Sequence, residues 1–450
     1  MGLTRSRGLR REGPADPAHP ADPGRTADPG RTADTAPPLR RVPLPRGARP
    51  ARRATLLGPA FVAAVAYVDP GNVATNVSAG ARFGYLLLWV VVAANLMAVL
   101  VQYLSAKLGL VAGASLPHVL GRHLPRGGRL LYWAQAETFA MATDIAEVVG
   151  GAIALQLLFG LPLLAGGAVT GVVSTLLLLV KDRRGQSAFE HTVLAFLAVI
   201  AVGFVAGLVV EPPAAEAATG LLPAFQGTGS VLLAAGILGA TVMPHAVYLH
   251  SALAHDRHGH LPEEARRTRL LRATRWDTGL SMLIAGSVNA AMLLLAAGEL
   301  RGMPGTDTLT GAHAAVTSSL GQTVGVLFAL AMLASGLVST SVGCYAGAVI
   351  MDGLVRRRIP LLLRRALTLA PALALLAAGS DPTQILVLSQ VVLSFGIPFV
   401  LVPLVLLTSR RRWMGTSANH PATTALAVLV TAVVIVLNAV LVWLLATGRG

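Results

Sequence analysis

Charge is scarce in this sequence: of 450 residues, only 13% are Asp, Glu, Lys or Arg. Soluble domains carry about 25%. The deficit excludes an ordinary soluble domain and points to a bilayer, where a charge within a span is costly. Cysteine is almost absent, with Cys344 alone. A disulfide framework and a cysteine metal cluster within one chain are therefore excluded. Acidic residues are also few, 21 against 36 basic ones, for a net charge of +15. Nucleic acid is one partner for such a balance. It is set aside here, because the basic residues sit in short loops between apolar spans. Residues 1–52 contain no apolar core of a signal peptide. They are rich in Arg, Pro, Ala, Asp and Gly, with the tandem repeat ADPGRTADPGRTAD, and read as a disordered, basic, cytoplasmic tail.

What is abundant is apolar sequence, 54% of the chain. Several runs reach the roughly 20 residues needed to cross the hydrocarbon core. Eleven segments can be marked out, at 54–80, 84–109, 129–158, 162–180, 190–210, 228–255, 276–299, 313–350, 364–379, 383–408 and 422–446. The eighth is too long for one simple span, and reads as one extended helix or as a helix plus a shorter cytoplasmic piece. With the N-terminus inside, all of the 36 basic residues except Arg82, Arg301 and Arg449 fall on the inner side. Short cytoplasmic loops carry this excess. The expectation is a multi-pass protein of the cell membrane with its N-terminus cytoplasmic and its C-terminus outside. Residues 53–450 form the membrane domain.

Two spans are interrupted. Span 1 contains Asp69-Pro70-Gly71-Asn72, and span 6 contains Met243-Pro244-His245. An aspartate near mid-span costs several kcal/mol unless paired, hydrated or protonated. Pro70 lacks an N–H and Gly71 tolerates unusual dihedrals, so the helix is expected to unwind there. Unwinding frees carbonyls beside the Asp69 carboxylate and the Asn72 amide oxygen. In span 6 the carbonyl of Ala240, four residues before Pro244, loses its helical donor. Broken helices five spans apart suggest two five-span halves, inverted in the membrane, with a site at the midplane between them. The eleventh span lies outside that repeat. The fold class is an all-α polytopic membrane protein.

The donors fit a transition metal. Carboxylate, amide and carbonyl oxygens alone suit Mg²⁺ or Ca²⁺. The Met243 thioether is of little use to those ions and acceptable to Mn²⁺, Fe²⁺ and later metals. In span 3, Glu137, Asp144 and Glu147 lie within about 80° of one another on one helical face. Three carboxylates on one face of a membrane span read as a proton route or a wet cavity. A structural network paired with arginine is the other reading, more so for Glu137 than for Asp144 and Glu147. His245 and His250 titrate near neutral pH in their free form. His245 adjoins the presumed metal site as a proton acceptor or a structural donor. His255, His258 and His260 read as a solvated loop.

These residues resemble the Nramp family of proton-coupled divalent-metal transporters over about 54–446. DPGN in span 1 with A-T-V-M-P-H in span 6 is a specific combination, strengthened by A-M-A-T-D-I-A-E in span 3 and S-Q-V-V-L-S in span 10. The resemblance implies the LeuT-type fold. It implies Asp69, Asn72, Met243 and the Ala240 carbonyl as metal ligands, with the Ala66 carbonyl and Gln390 completing coordination in some conformations. It also implies Asp69, Asp144, Glu147 and His245 in proton uptake and transfer, with His250 and Arg257 further along. After span 8 the match weakens: Leu337 and Ala348 stand where the family commonly has glutamines, which touches gating rather than metal chemistry.

The implied function is a secondary active importer of Mn²⁺, with Fe²⁺, coupled to protons. No permanent cofactor is expected. The partners are the metal ion, protons and the bilayer. Two rivals share these features: a transporter of an organic solute such as an amino acid on the same fold, and a non-transporting metal sensor. No nucleophile–base pairing suggests an enzyme.

Overall fold

The computed structural model describes residues 58–447 except 185, 211–214, 260–263, 304, 307 and 357–359. The tail at 1–52 lies outside these residues. Among the described residues there are sixteen α-helices and no strand. The broken first span is α1 (Pro59–Val65) followed by α2 (Pro70–Phe83). Spans 2 to 5 are α3 (Leu88–Ala112), α5 (Arg126–Phe159), α6 (Leu163–Arg184) and α7 (Gln186–Val210). A short helix, α4 (Leu116–His123), precedes α5. The broken sixth span is α8 (Gly227–Thr241) and α9 (Pro244–His258), and the seventh is α10 (Glu264–Glu299). Next come α11 (Leu309–Leu320), α12 (Gln322–Leu354), α13 (Leu361–Ala377), α14 (Pro382–Ser409), the single turn α15 (Arg411–Met414) and α16 (Pro421–Thr447). The eleven expected spans are therefore all present as helix.

Three expectations are corrected. The eighth segment holds neither one extended helix nor a helix with a cytoplasmic piece at its end. Gly321, at φ +93°, separates α11 from α12. The short helix comes first, and its Leu309 N–H donates to Thr383 Oγ1 at the start of α14, 3.0 Å away. It thus lies at the end of the bundle opposite the basic loops. The seventh helix begins at Glu264 rather than near residue 276. The loop sequence there is rich in Glu, Ala, Leu and Arg, all strong helix formers, so the helix continues past the apolar stretch. Finally, Arg364 and Arg365 are not loop charges. They sit in the second turn of α13 and are buried.

The helix breaks also fall slightly earlier than Pro70 and Gly71. Asp69 alone is extended (φ −82°, ψ 167°), and Pro70 opens α2. Met243 is likewise extended (φ −63°, ψ 121°), and Pro244 opens α9. The physical reason is shared. Proline disfavours helix in the residue before it and suits the first helical position, where no N–H partner exists. Each proline thus starts a half-helix, and the residue before it becomes the cap. Around these breaks α5 packs against α12 and α14, α10 against α2 and α3, and α14 against α8.

Candidate functional site

Asp69 caps α2. Its Oδ1 accepts the Asn72 backbone N–H at 2.9 Å and the Asn72 side-chain amide at 2.7 Å. The same Asn72 Nδ2 donates to the Ala240 carbonyl at 2.9 Å. That carbonyl is the one Pro244 leaves without a helical donor, so one side-chain amide joins both breaks. Asp69 Oδ2 accepts from Gln390 Nε2 at 3.3 Å. Gln390 is held against both breaks by close approaches. A Cβ on Gly71 would strike its side chain, and one on Gly239 would strike its backbone. Met243 and Ala66 complete the surroundings of the breaks. All six residues are buried.

Asp69 therefore has only neutral partners, and two of them are the NH2 ends of amides. Each amide leaves its oxygen, Asn72 Oδ1 and Gln390 Oε1, buried without a hydrogen-bond partner among the described residues. Thr241 Oγ1 beside Ala240 is in the same state. Buried polar atoms are normally satisfied, and three exceptions lie at these breaks. No group of three His, Cys, Asp or Glu that could hold a metal occurs among the described residues. A cation at this point would be held by amide, carbonyl and thioether atoms around one carboxylate. His255 and His258, read from the sequence as loop residues, lie in the last turn of α9, and His260 lies outside the described residues.

The carboxylates of span 3 divide. Glu137 pairs with Arg364 at 2.7 Å. Asp144 pairs with Arg365, whose other nitrogen donates to Ser174 Oγ at 3.0 Å. Glu147 is buried, and neither oxygen has a partner among the described residues. The arginine-network reading thus applies to Asp144 as fully as to Glu137, and Glu147 is the acid left open. Both arginines come from α13, more than two hundred residues away, and nothing in span 3 signals them. His245 Nδ1 meets Thr143 Oγ1 at 3.3 Å, and its Nε2 has no partner among the described residues. His250 Nδ1 meets Gln102 Oε1 at 2.8 Å, and Gln102 also bonds the Tyr67 hydroxyl. Arg257 is ion-paired with Glu190.

Several supporting residues escape a reading of motifs. Asn289 Nδ2 donates to the Tyr67 carbonyl at 2.8 Å. Ser335 and Ser339 of α12 donate to the carbonyls of Val68 and Val65. These serines satisfy oxygens that the first break exposes. Gln102 and Asn289 carried a signal, since polar residues inside a span mark function or close packing. Leu337 is half-buried and Ala348 is exposed, on the flanks of α12 away from these serines. At the α1 end, Asp277 accepts N–H bonds from Gly58 and Ala60, each at 3.2 Å.

A sequence profile of the Nramp family, described as natural resistance-associated macrophage protein-like, matches residues 60–444. The chain is 63% identical over 394 residues to a divalent metal cation transporter MntH of Mycobacterium tuberculosis, covering 87% of this chain and 92% of that protein. It superposes on a crystal structure of the Eremococcus coleocola manganese transporter with a TM-score of 0.76 at 30% identity, covering 86% of each chain. A nucleobase–cation symport-1 family transporter, 15% identical with a TM-score of 0.55 over 89% of this chain and 94% of that one, shares the fold alone.

Proposed function

Because this chain belongs to the Nramp family, we propose that it imports divalent transition-metal ions, Mn²⁺ foremost and Fe²⁺ with it, together with protons. The observation that carries this reading is the pair of amide NH2 groups on Asp69. Asn72 Nδ2 lies 2.7 Å from Asp69 Oδ1 and 2.9 Å from the Ala240 carbonyl, so a partial positive charge bridges the two breaks. Turning the Asn72 and Gln390 amides about their last side-chain torsion exchanges NH2 for oxygen. The unpartnered oxygens then join Asp69 and the Ala240 carbonyl around a real cation. The names of the relatives, a divalent metal cation transporter and a manganese transporter, agree with such a substrate.

Selectivity follows from Met243. A soft sulfur adds nothing to Ca²⁺ or Mg²⁺ binding and something to Mn²⁺ and Fe²⁺. The ends of α1 and α8 at the breaks present carbonyls and negative dipole ends to the ion. A dication beside Asp69 favours its ionised form, so a proton held there leaves as the metal enters. Glu147 and His245 are the receiving groups on the α5 side, each with unpartnered buried atoms. Rocking of one set of helices against the other then releases the ion to the cytoplasm, with the N-terminus on that side and the C-terminus outside. The Arg257–Glu190 pair and the Asp277 cap on α1 are the ties that must part for this.

Uptake into proteoliposomes of Mn²⁺, Fe²⁺, Zn²⁺, Mg²⁺ and Ca²⁺, with internal pH recorded, tests the proposal. The expected result is accumulation of Mn²⁺ and Fe²⁺ with internal acidification, and exclusion of Mg²⁺ and Ca²⁺. Metal binding without accumulation would make the protein a sensor. Accumulation of an organic solute regardless of metal would make it a transporter of another class.

A further inference from the structure

The start of α10 carries five arginines, at 266, 267, 269, 272 and 275. Successive residues turn by 100° around a helix, which places Arg269, Arg272, Trp276, Leu280 and Leu283 within about 80° on one face. That face points outward. Arg269 and Arg272 are exposed, and Trp276, Leu280 and Leu283 are 74%, 47% and 61% exposed. The buried face is opposite, at Leu270, Thr274, Asp277 and Ser281. Along one stripe the helix thus reads arginine, arginine, tryptophan, leucine, leucine. Arg266 and Arg275 flank it, and both are exposed.

Of these five charges, only Arg267 has an acidic partner among the described residues, Glu264 at 3.8 Å, and Asp277 turns inward to cap α1. Arg275 lies over the Tyr103 ring, 5.2 Å from its centre. Arg269 and Arg272 have no hydrogen-bond or ion-pair partner among the described residues. Like charges three apart on a helix repel, so the arrangement calls for an anion. The stripe also sets the anion's surroundings. Trp side chains favour the headgroup level of a bilayer. Trp276 stands about 10 Å along the axis from Arg269, and Leu283 about 10 Å beyond Trp276.

We propose that this face of α10 binds an anionic phospholipid. The Arg269 and Arg272 guanidiniums hold its phosphate, Arg266 and Arg275 flank the headgroup, and an acyl chain lies along Trp276, Leu280 and Leu283. A general excess of basic residues near a span needs no such register. Here the arginines and the apolar side chains share one stripe, and guanidinium matches phosphate through paired N–H bonds.

Native mass spectrometry of the full-length protein, released from vesicles of equal phosphatidylglycerol and phosphatidylcholine, tests this. The parent is expected to retain phosphatidylglycerol in preference. The double variant R269Q/R272Q is expected to lose that preference by about fivefold for each arginine removed. The control R122Q/R126Q removes the same charge from the exposed junction of α4 and α5 and is expected to keep it. Equal retention by R269Q/R272Q and the parent would overturn the proposal, as would equal loss in the control. Should the double variant not be recovered, R269Q and R272Q singly carry the test, each expected to lose at least half of the retained lipid. Retention unaffected by adding inorganic phosphate is expected; displacement by phosphate at millimolar concentration would reduce the site to a free-anion site and overturn the lipid assignment.

Discussion

Asp69 and Asp144 are both aspartates buried among membrane-spanning helices, yet their surroundings differ in kind. Asp144 already has a cation, the Arg365 guanidinium, which a second hydrogen bond to Ser174 holds in place. Asp69 has two amide NH2 groups and a backbone N–H. An amide can be turned aside by a dication at small cost; a buried guanidinium cannot leave without stranding its partner. On the proposed function, Asp69 is the carboxylate that takes the metal and Asp144 the one that stays paired. Glu147 has neither kind of partner among the described residues, and in the proposed function it is the acid that holds a proton.

The comparison can be broken from either side. Arg365→Ala leaves Asp144 as an uncompensated buried charge, and the expected loss is about 3–5 kcal/mol of stability, read as thermal unfolding in detergent. Asp69→Asn removes no paired charge. It should leave the unfolding temperature within a few degrees of the parent while reducing Mn²⁺ uptake on the order of 100-fold, since a charged ligand is lost. If Asp69→Asn unfolds the protein and Arg365→Ala does not, the two roles are reversed.

Smaller effects sharpen the picture. Gly71→Ala drives a methyl group into the Gln390 side chain, and Mn²⁺ uptake should fall about tenfold, roughly 1.4 kcal/mol, without a change in helix content by circular dichroism. Met243→Ala should lower the preference for Mn²⁺ over Ca²⁺ by about tenfold, measured as competition in uptake. Leu337→Gln restores the residue common in the family at a half-buried flank of α12. It should change the uptake rate by less than about twofold, because the serines that serve the first break are Ser335 and Ser339.

Much of this was legible in the chain because it is local. Apolar length gave the spans, and the Asp69-Pro70 and Met243-Pro244 pairs gave the breaks. What was hidden is tertiary. The partners of Glu137 and Asp144 are Arg364 and Arg365, and a run of arginines before an apolar stretch reads as an ordinary inner loop. Only packing of α13 against α5 turns them inward. The start of α10 was hidden for the opposite reason, since a helix that leaves the membrane loses the apolar signal but not its helical propensity. Ser335, Ser339 and Asn289 act by reaching carbonyls two hundred or more residues distant, and no spacing in the sequence announces that.

In the proposed site one carboxylate, two amides, a freed carbonyl and a thioether hold the transported ion. X-ray absorption spectra of the Mn²⁺-loaded protein test it most directly. The expected result is a shell of oxygen scatterers with one sulfur, and loss of the sulfur alone in Met243→Ala. An all-oxygen shell that is identical in the parent and in Met243→Ala would contradict it.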